Sequence, residues 1–137
     1  MDKEVFLRDF MEEIWNKKNF AAVEKYVHSE YKIHLDNADP WEGKTLSHKE
    51  FKDRLNYSFG SFPDIHFEIT SAIPDVNQVA ITWIMTGTNI GKIGEFAPTN
   101  QKIKTNGMTI YHFYNNKIAG HSQVFDRLTI MKQLGFV

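Results

Sequence analysis

After Gly60 the spacing of apolar residues changes, and that change limits the possible folds more than any other feature of the chain. Before it, Phe6, Leu7, Phe10, Met11, Ile14 and Trp15 fall three and four apart, which predicts a helix over residues 2–17 with one apolar face. After it, Ile65, Phe67 and Ile69 alternate with His66, Glu68 and Thr70, the period of a half-buried strand. Pro74, Asp75 and Asn77 turn that strand into a second alternation from Val79 to Thr88, a first hairpin. A link containing Gly91, Gly94 and Pro98 leads to a third strand from about Ile103 to Tyr114, and Asn115-Asn116 turns it into a fourth beginning at Lys117. These connections favour antiparallel pairing. Helices followed by long strands define an α+β domain, in which short helices cover only part of a curved sheet and leave a small, mostly apolar pocket in its mouth.

The remaining elements fit this frame. A second short helix follows Asn19, a good N-cap, and carries Phe20, Val23 and Val27 inward until Ser29 breaks the pattern. Tyr31 to Leu35 reads as a short strand, and Asp36, Asn37, Asp39, Pro40 and Gly43 mark a loop around Trp41. Ser47 and Glu50 form a capping box for a helix running to about Phe59, with Phe51 and Leu55 on its core side. Asp126 caps a closing helix that carries Leu128, Ile130, Met131 and Leu134 and ends at Gly135. No internal repeat or composition shift divides the chain, so residues 1–137 read as one domain.

Composition narrows the partners. Hydrophobic residues make up 42% of the chain and eleven Phe dominate its aromatics, so a core must bury those rings. A formal net charge of −1 without a basic run leaves no footprint for nucleic acid or an anionic membrane surface; a small, largely apolar organic ligand is the expected partner. Without cysteine there is neither disulfide nor thiolate chemistry. The first residues lack the basic start and apolar run of a secretory signal, and no stretch approaches the roughly 18 apolar residues of a membrane span, so a cytoplasmic location is expected.

Several local sequences gain meaning from their order: Gly87-Thr88 ahead of Gly91, Ala97-Pro98-Thr99, Gly107, Lys117-Ile118, and Lys132-Gln133-Leu134-Gly135. Together they resemble a SnoaL-like domain, also called polyketide-cyclase-like or ester-cyclase-like, of the nuclear-transport-factor-2 and ketosteroid-isomerase superfamily. The resemblance covers essentially the whole chain. It implies a cone of about three N-terminal helices on a strongly curved mixed or antiparallel sheet, with a short C-terminal helix, and a homodimer formed through the outer face of the sheet. It also implies an Asp acid/base on the last strand and a His on the strand before it, for an intramolecular aldol cyclisation. Those two positions are held here by Gln123 and Thr109. An amide has no usable pKa and a hydroxyl cannot replace an imidazole as proton carrier, so that mechanism does not transfer to this chain.

Other residues offer chemistry. His121 lies two residues before Gln123 and therefore on the same strand face, where it can act as general base or acid, with Asp126 or Gln123 orienting its ring. Asp126 fits a helix N-cap equally well. His34, alternating with Ile33 and Leu35, is a second titratable candidate pointing into the cone. Trp15, Trp83, Met85, Phe96 and Tyr111 are candidates for the apolar lining, and the Tyr111 hydroxyl for holding a carbonyl oxygen. The six His show no His-x-x-x-His spacing and the glycines no phosphate-loop context, so neither a metal nor another cofactor is expected.

Three readings stand: a binder of a carbonyl- or hydroxyl-bearing molecule, an isomerase-, cyclase- or hydrolase-like enzyme working by proton transfer through His121, and a non-catalytic dimeric module whose cone is filled by side chains. A cavity above roughly 300 Å³ with His121 and Gln123 on its wall favours a ligand, and a filled cone favours the module.

Overall fold

A computed structural model describes residues 1–137. Helix α1 (Lys3–Phe10) starts where the Asp2 carboxylate accepts the Val5 amide, a capped first turn. It runs into a π-helical turn, Met11–Asn16, rather than continuing as one helix to residue 17. The wider turn takes in an extra residue and keeps Met11, Ile14 and Trp15 all buried with Phe10. At its end the Asn16 amide acts like a strand partner: it donates to the Phe67 carbonyl (3.0 Å) and accepts the Phe67 amide (2.8 Å). That bidentate contact fixes the helix end to the edge of the sheet.

Phe20–Ala22 form a 3₁₀ turn and α2 (Val23–Tyr26) follows at once. Val27, expected on that helix, already belongs to β1 (Val27–Asp36), which starts four residues earlier than its alternation suggests. Short β2 (Thr45–Leu46) pairs with it. Helix α3 (His48–Ser61) opens with the expected capping box, Ser47 and Glu50 each bonding the other's backbone amide. Strands β3 (His66–Pro74), β4 (Gln78–Thr88), β5 (Lys102–Tyr114) and β6 (Lys117–Phe125) follow, and α4 (Arg127–Leu134) closes the chain against Gly135, whose φ of 80° provides the left-handed stop. Asn115 and Asn116, with φ of 49° and 59°, form the tight β5–β6 turn.

The six strands make one open mixed sheet in the order β2-β1-β6-β5-β4-β3. All neighbours are antiparallel except β1 and β6, which run parallel. Helices α1 and α3 lie across the concave face, giving the cone of the nuclear-transport-factor-2-like fold. Residues with odd numbers in β4 and β5, such as Val79, Ile81, Trp83, Thr109 and Tyr111, are buried beneath the helices, and their even neighbours form the outer face.

Two bulges decide what enters the cone. Along β1, Ile33 is opposite His121 but Leu35 is opposite Ser122, so β1 holds one extra residue at His34. Strict alternation from Tyr31 and Ile33 would send Leu35 inward; the bulge reverses the phase and buries Asp36 instead. In β6 an extra residue at Ala119, between the pairs His112–Gly120 and Phe113–Ile118, turns His121, Gln123 and Phe125 inward. The link after β4 is held by buried Asn89, whose side chain donates to Gly91 and accepts from the Thr99 amide and hydroxyl.

No helix is long and apolar enough to cross a membrane.

Candidate functional site

Tyr31, Asp36, Arg54 and His121 form a cluster of ionisable side chains inside the apolar cone. Asp36 is their centre and is fully buried. Its Oδ2 accepts from His121 Nε2 (2.8 Å), Gln123 Nε2 (2.8 Å) and Arg54 Nη2 (3.0 Å), and its Oδ1 accepts from Arg127 Nη2 (3.2 Å). Arg54 is pinned further by Asp39, whose Oδ2 accepts from Nε (3.1 Å) and Nη2 (2.8 Å). Two carboxylates therefore face two guanidinium groups, and the cluster is balanced. Burial pushes the Asp36 carboxyl up, but hydrogen bonds from His121 and Arg127 and the charge of Arg54 outweigh it and hold the group ionised below its ordinary range.

The tautomer of His121 follows from its partners. An ionised carboxylate only accepts, so Nε2 carries the proton toward Asp36, and Nδ1 accepts the Tyr31 hydroxyl 2.5 Å away. Burial lowers the His121 pKa despite the neighbouring carboxylate, leaving a neutral imidazole, and raises that of Tyr31. Phenol, imidazole and carboxylate thus form one uncharged-uncharged-anionic relay. A second chain supports it: Trp83 Nε1 donates to Thr109 Oγ1 (2.9 Å), which donates to Gln123 Oε1 (2.9 Å), fixing the amide with its nitrogen on Asp36. Gly107 makes room for this arrangement, since a Cβ there would lie 2.5 Å from the Trp83 ring and from Phe125.

Above the relay is a cavity of about 100 Å³. It lies below the usual range for ligand pockets and is roughly three times the ~30 Å³ that a water occupies in the liquid. The cone is neither wide open nor filled. His121, Gln123, Trp15, Trp83, Met85 and Tyr111 all reach its wall. Thr109 stands behind Gln123 and Trp83 rather than on the wall, and the Tyr111 hydroxyl is turned to Met11 Sδ at 3.6 Å.

Three candidates lie elsewhere. Asp126 is exposed at the α4 N-cap, both carboxylate oxygens taken by the Thr129 amide (2.9 Å) and hydroxyl (2.6 Å), so Asp36 is the carboxylate that orients His121. His34 is the extra bulge residue, turned to the outer face, where its ring meets His112 at 4.9 Å. Phe96, nearly half exposed, stacks on Phe136 near the C-terminus at 4.4 Å, away from the cone. Tyr31, Asp36, Arg54 and Arg127 escaped the sequence reading. Only Arg54 carried a signal: it lies between Phe51 and Leu55 on the inner face of α3, where a charge needs a buried partner. Asp36 is placed by a bulge that alternation does not reveal.

A second depression of about 340 Å³ lies on the outer face of the sheet. Leu35, Ile73, Met108, Ile110 and Val124 line it, each between 38% and 69% exposed, and no charged side chain borders it.

A family model described as SnoaL-like polyketide cyclase matches residues 5–134. Among solved structures, a candidate polyketide cyclase from Acidithiobacillus ferrooxidans is 36% identical, with a TM-score of 0.89 over 96% of this chain and 92% of that one. A SnoaL-like polyketide cyclase from Agrobacterium tumefaciens is 20% identical, with a TM-score of 0.78 over 95% of each chain. IdmH from Streptomyces antibioticus, 16% identical, superposes with a TM-score of 0.81 over 98% of this chain and 99% of its own. No curated protein matches.

Proposed function

The chain belongs to the SnoaL-like polyketide cyclase family, and from that membership we propose that its cone binds a small, largely apolar carbonyl compound and moves a proton on it through Tyr31, His121 and Asp36. One observation carries the reading: a neutral imidazole, buried in an apolar cavity, has a carboxylate on one nitrogen and a phenol on the other. As the Tyr31 oxygen takes a proton from the substrate, its own proton passes to His121 Nδ1. The electron pair released on the substrate becomes an enolate, and Asp36 stabilises the new imidazolium. Return of the proton to another atom isomerises the substrate. The site is buried, so these charges interact strongly, and its phenol and imidazole stay uncharged until the substrate's proton arrives.

The polyketide aldol step does not follow from this geometry. Gln123 and Thr109 hold each other and Asp36 in fixed hydrogen bonds, and neither carries a proton between atoms. A cavity of 100 Å³ suits a single ring or a short chain.

Hydrogen–deuterium exchange at the α-carbon of cyclopentanone and cyclohexanone in D₂O tests the reading. The protein is expected to accelerate exchange, with the rate falling on the acid side as His121 takes up a proton. Because burial depresses the His121 pKa, that fall lies below the ordinary histidine value of about 6.5. Exchange no faster than in buffer, with the ketone shown to be bound, rejects the proposal.

The outer face supports a second element of the proposal, a homodimer. An uncharged apolar groove on a sheet face is the surface a second copy can cover by two-fold pairing. Met108→Lys together with Val124→Lys is expected to convert a dimer to a monomer in sedimentation equilibrium. A wild-type chain that sediments as a monomer at every concentration rules the dimer out.

A further inference from the structure

Arg54 is more than a structural partner of two carboxylates. Its Nε and Nη2 make all three of its hydrogen bonds, to Asp36 and Asp39. A guanidinium is a planar fork, so Nη1 points away from the edge that carries those bonds. Arg54 is only 7% exposed, and it lines the cavity. Ser58, one helical turn further along α3, lines the same wall. Tyr31 and His121 lie on the sheet side of the same space.

We propose that Arg54 Nη1 receives the reacting oxygen of the ligand, which makes the site selective for neutral compounds whose oxygen becomes anionic when they give up a proton: enolisable ketones, enols and phenols. This rests on the proton relay described above and names its substrate class. The charge balance supports it. Asp36 and Asp39 already offset Arg54 and Arg127, so a ligand arriving as a carboxylate brings a buried charge with no partner. A phenol or enol arrives neutral and hands its proton to Tyr31, whose own proton moves to His121. The oxyanion then faces the guanidinium, the imidazolium faces Asp36, and the site remains neutral overall.

Phenol and chlorophenols of graded acidity are the probes, with toluene as apolar isostere and benzoate as permanent anion. Affinity is read by titration calorimetry and ionisation by the ultraviolet band of phenolate. In the wild type, affinity is expected to rise with phenol acidity, the phenolate band to appear below the pH at which the free phenol ionises, and benzoate to bind weakly. Arg54→Lys keeps the charge for the two carboxylates but loses the second arm of the fork. It is expected to weaken phenolate binding roughly tenfold to a hundredfold while leaving toluene unchanged. Affinity independent of acidity, phenolate selectivity that survives Arg54→Lys, or benzoate bound as tightly as the phenols would overturn the assignment. Should Arg54→Lys unfold, the wild-type spectra and the benzoate comparison decide alone. If neither toluene nor any phenol binds, the cavity reading itself falls, a result distinct from phenols that bind without regard to acidity.

Discussion

Asp36→Ala is expected to destabilise the fold by about 3–5 kcal/mol in urea denaturation, the range for removing one member of a buried charged set. Four donors converge on that carboxylate, and the two buried ones, His121 and Arg54, do not reach water when it goes. Arg54 keeps Asp39, but Arg127 loses its ion pair and His121 and Gln123 are left with unpaired N–H groups. A double variant with Arg54→Met is expected to recover part of the loss, because it removes a cation that the first change leaves short of partners. A cost below about 1 kcal/mol would mean that the cluster is solvated rather than buried.

Linkage sets the pH dependence of the same cluster. The folded Asp36 carboxyl titrates below its ordinary value, so its contribution is present above about pH 4 and is lost as pH falls through the folded pKa. His121 adds a loss of the same sign at milder acidity. Its folded pKa is depressed, so the unfolded chain binds the proton first, and stability declines as pH drops below about 6.5.

The second large effect is on turnover. His121→Ala is expected to lower α-proton exchange by roughly 10²–10⁴-fold, the usual contribution of a positioned acid–base group, with ketone affinity little changed. Tyr31→Phe removes the hydroxyl that meets the substrate and should fall in the same range. Because the two act in series, the double variant is expected to be no slower than the worse single one. Losses that multiply would show two independent roles and break the relay.

The fold was readable where a short-range pattern sufficed. The β3–β4 and β5–β6 hairpins, the capping box at Ser47 and the Asp126 cap follow from alternation and local donor–acceptor chemistry. The site was readable only on one side. His121 and Gln123 share a face because they lie two apart on a strand, and that rule holds beyond the bulge at Ala119. On β1 the rule fails at His34, so an acid that reads as the start of a loop is buried at the centre of the cone. The parallel pairing of β1 with β6 was equally hidden, since no local turn links the strands. The π-helical turn was hidden too, because its apolar residues also suit an ordinary helix.

The parallel seam also has a consequence for how the molecule is made. Asp36 and His121 are 85 positions apart, and Arg127 is 91 from the same acid. Contacts that distant close a long loop for little local reward, so this seam is expected to form late in folding, after the hairpins and helices are in place. During synthesis the acid and Arg54 leave the ribosome long before the imidazole does, and both remain hydrated until the final strand arrives. The proposed relay therefore cannot assemble on a growing polypeptide before β6 has been released.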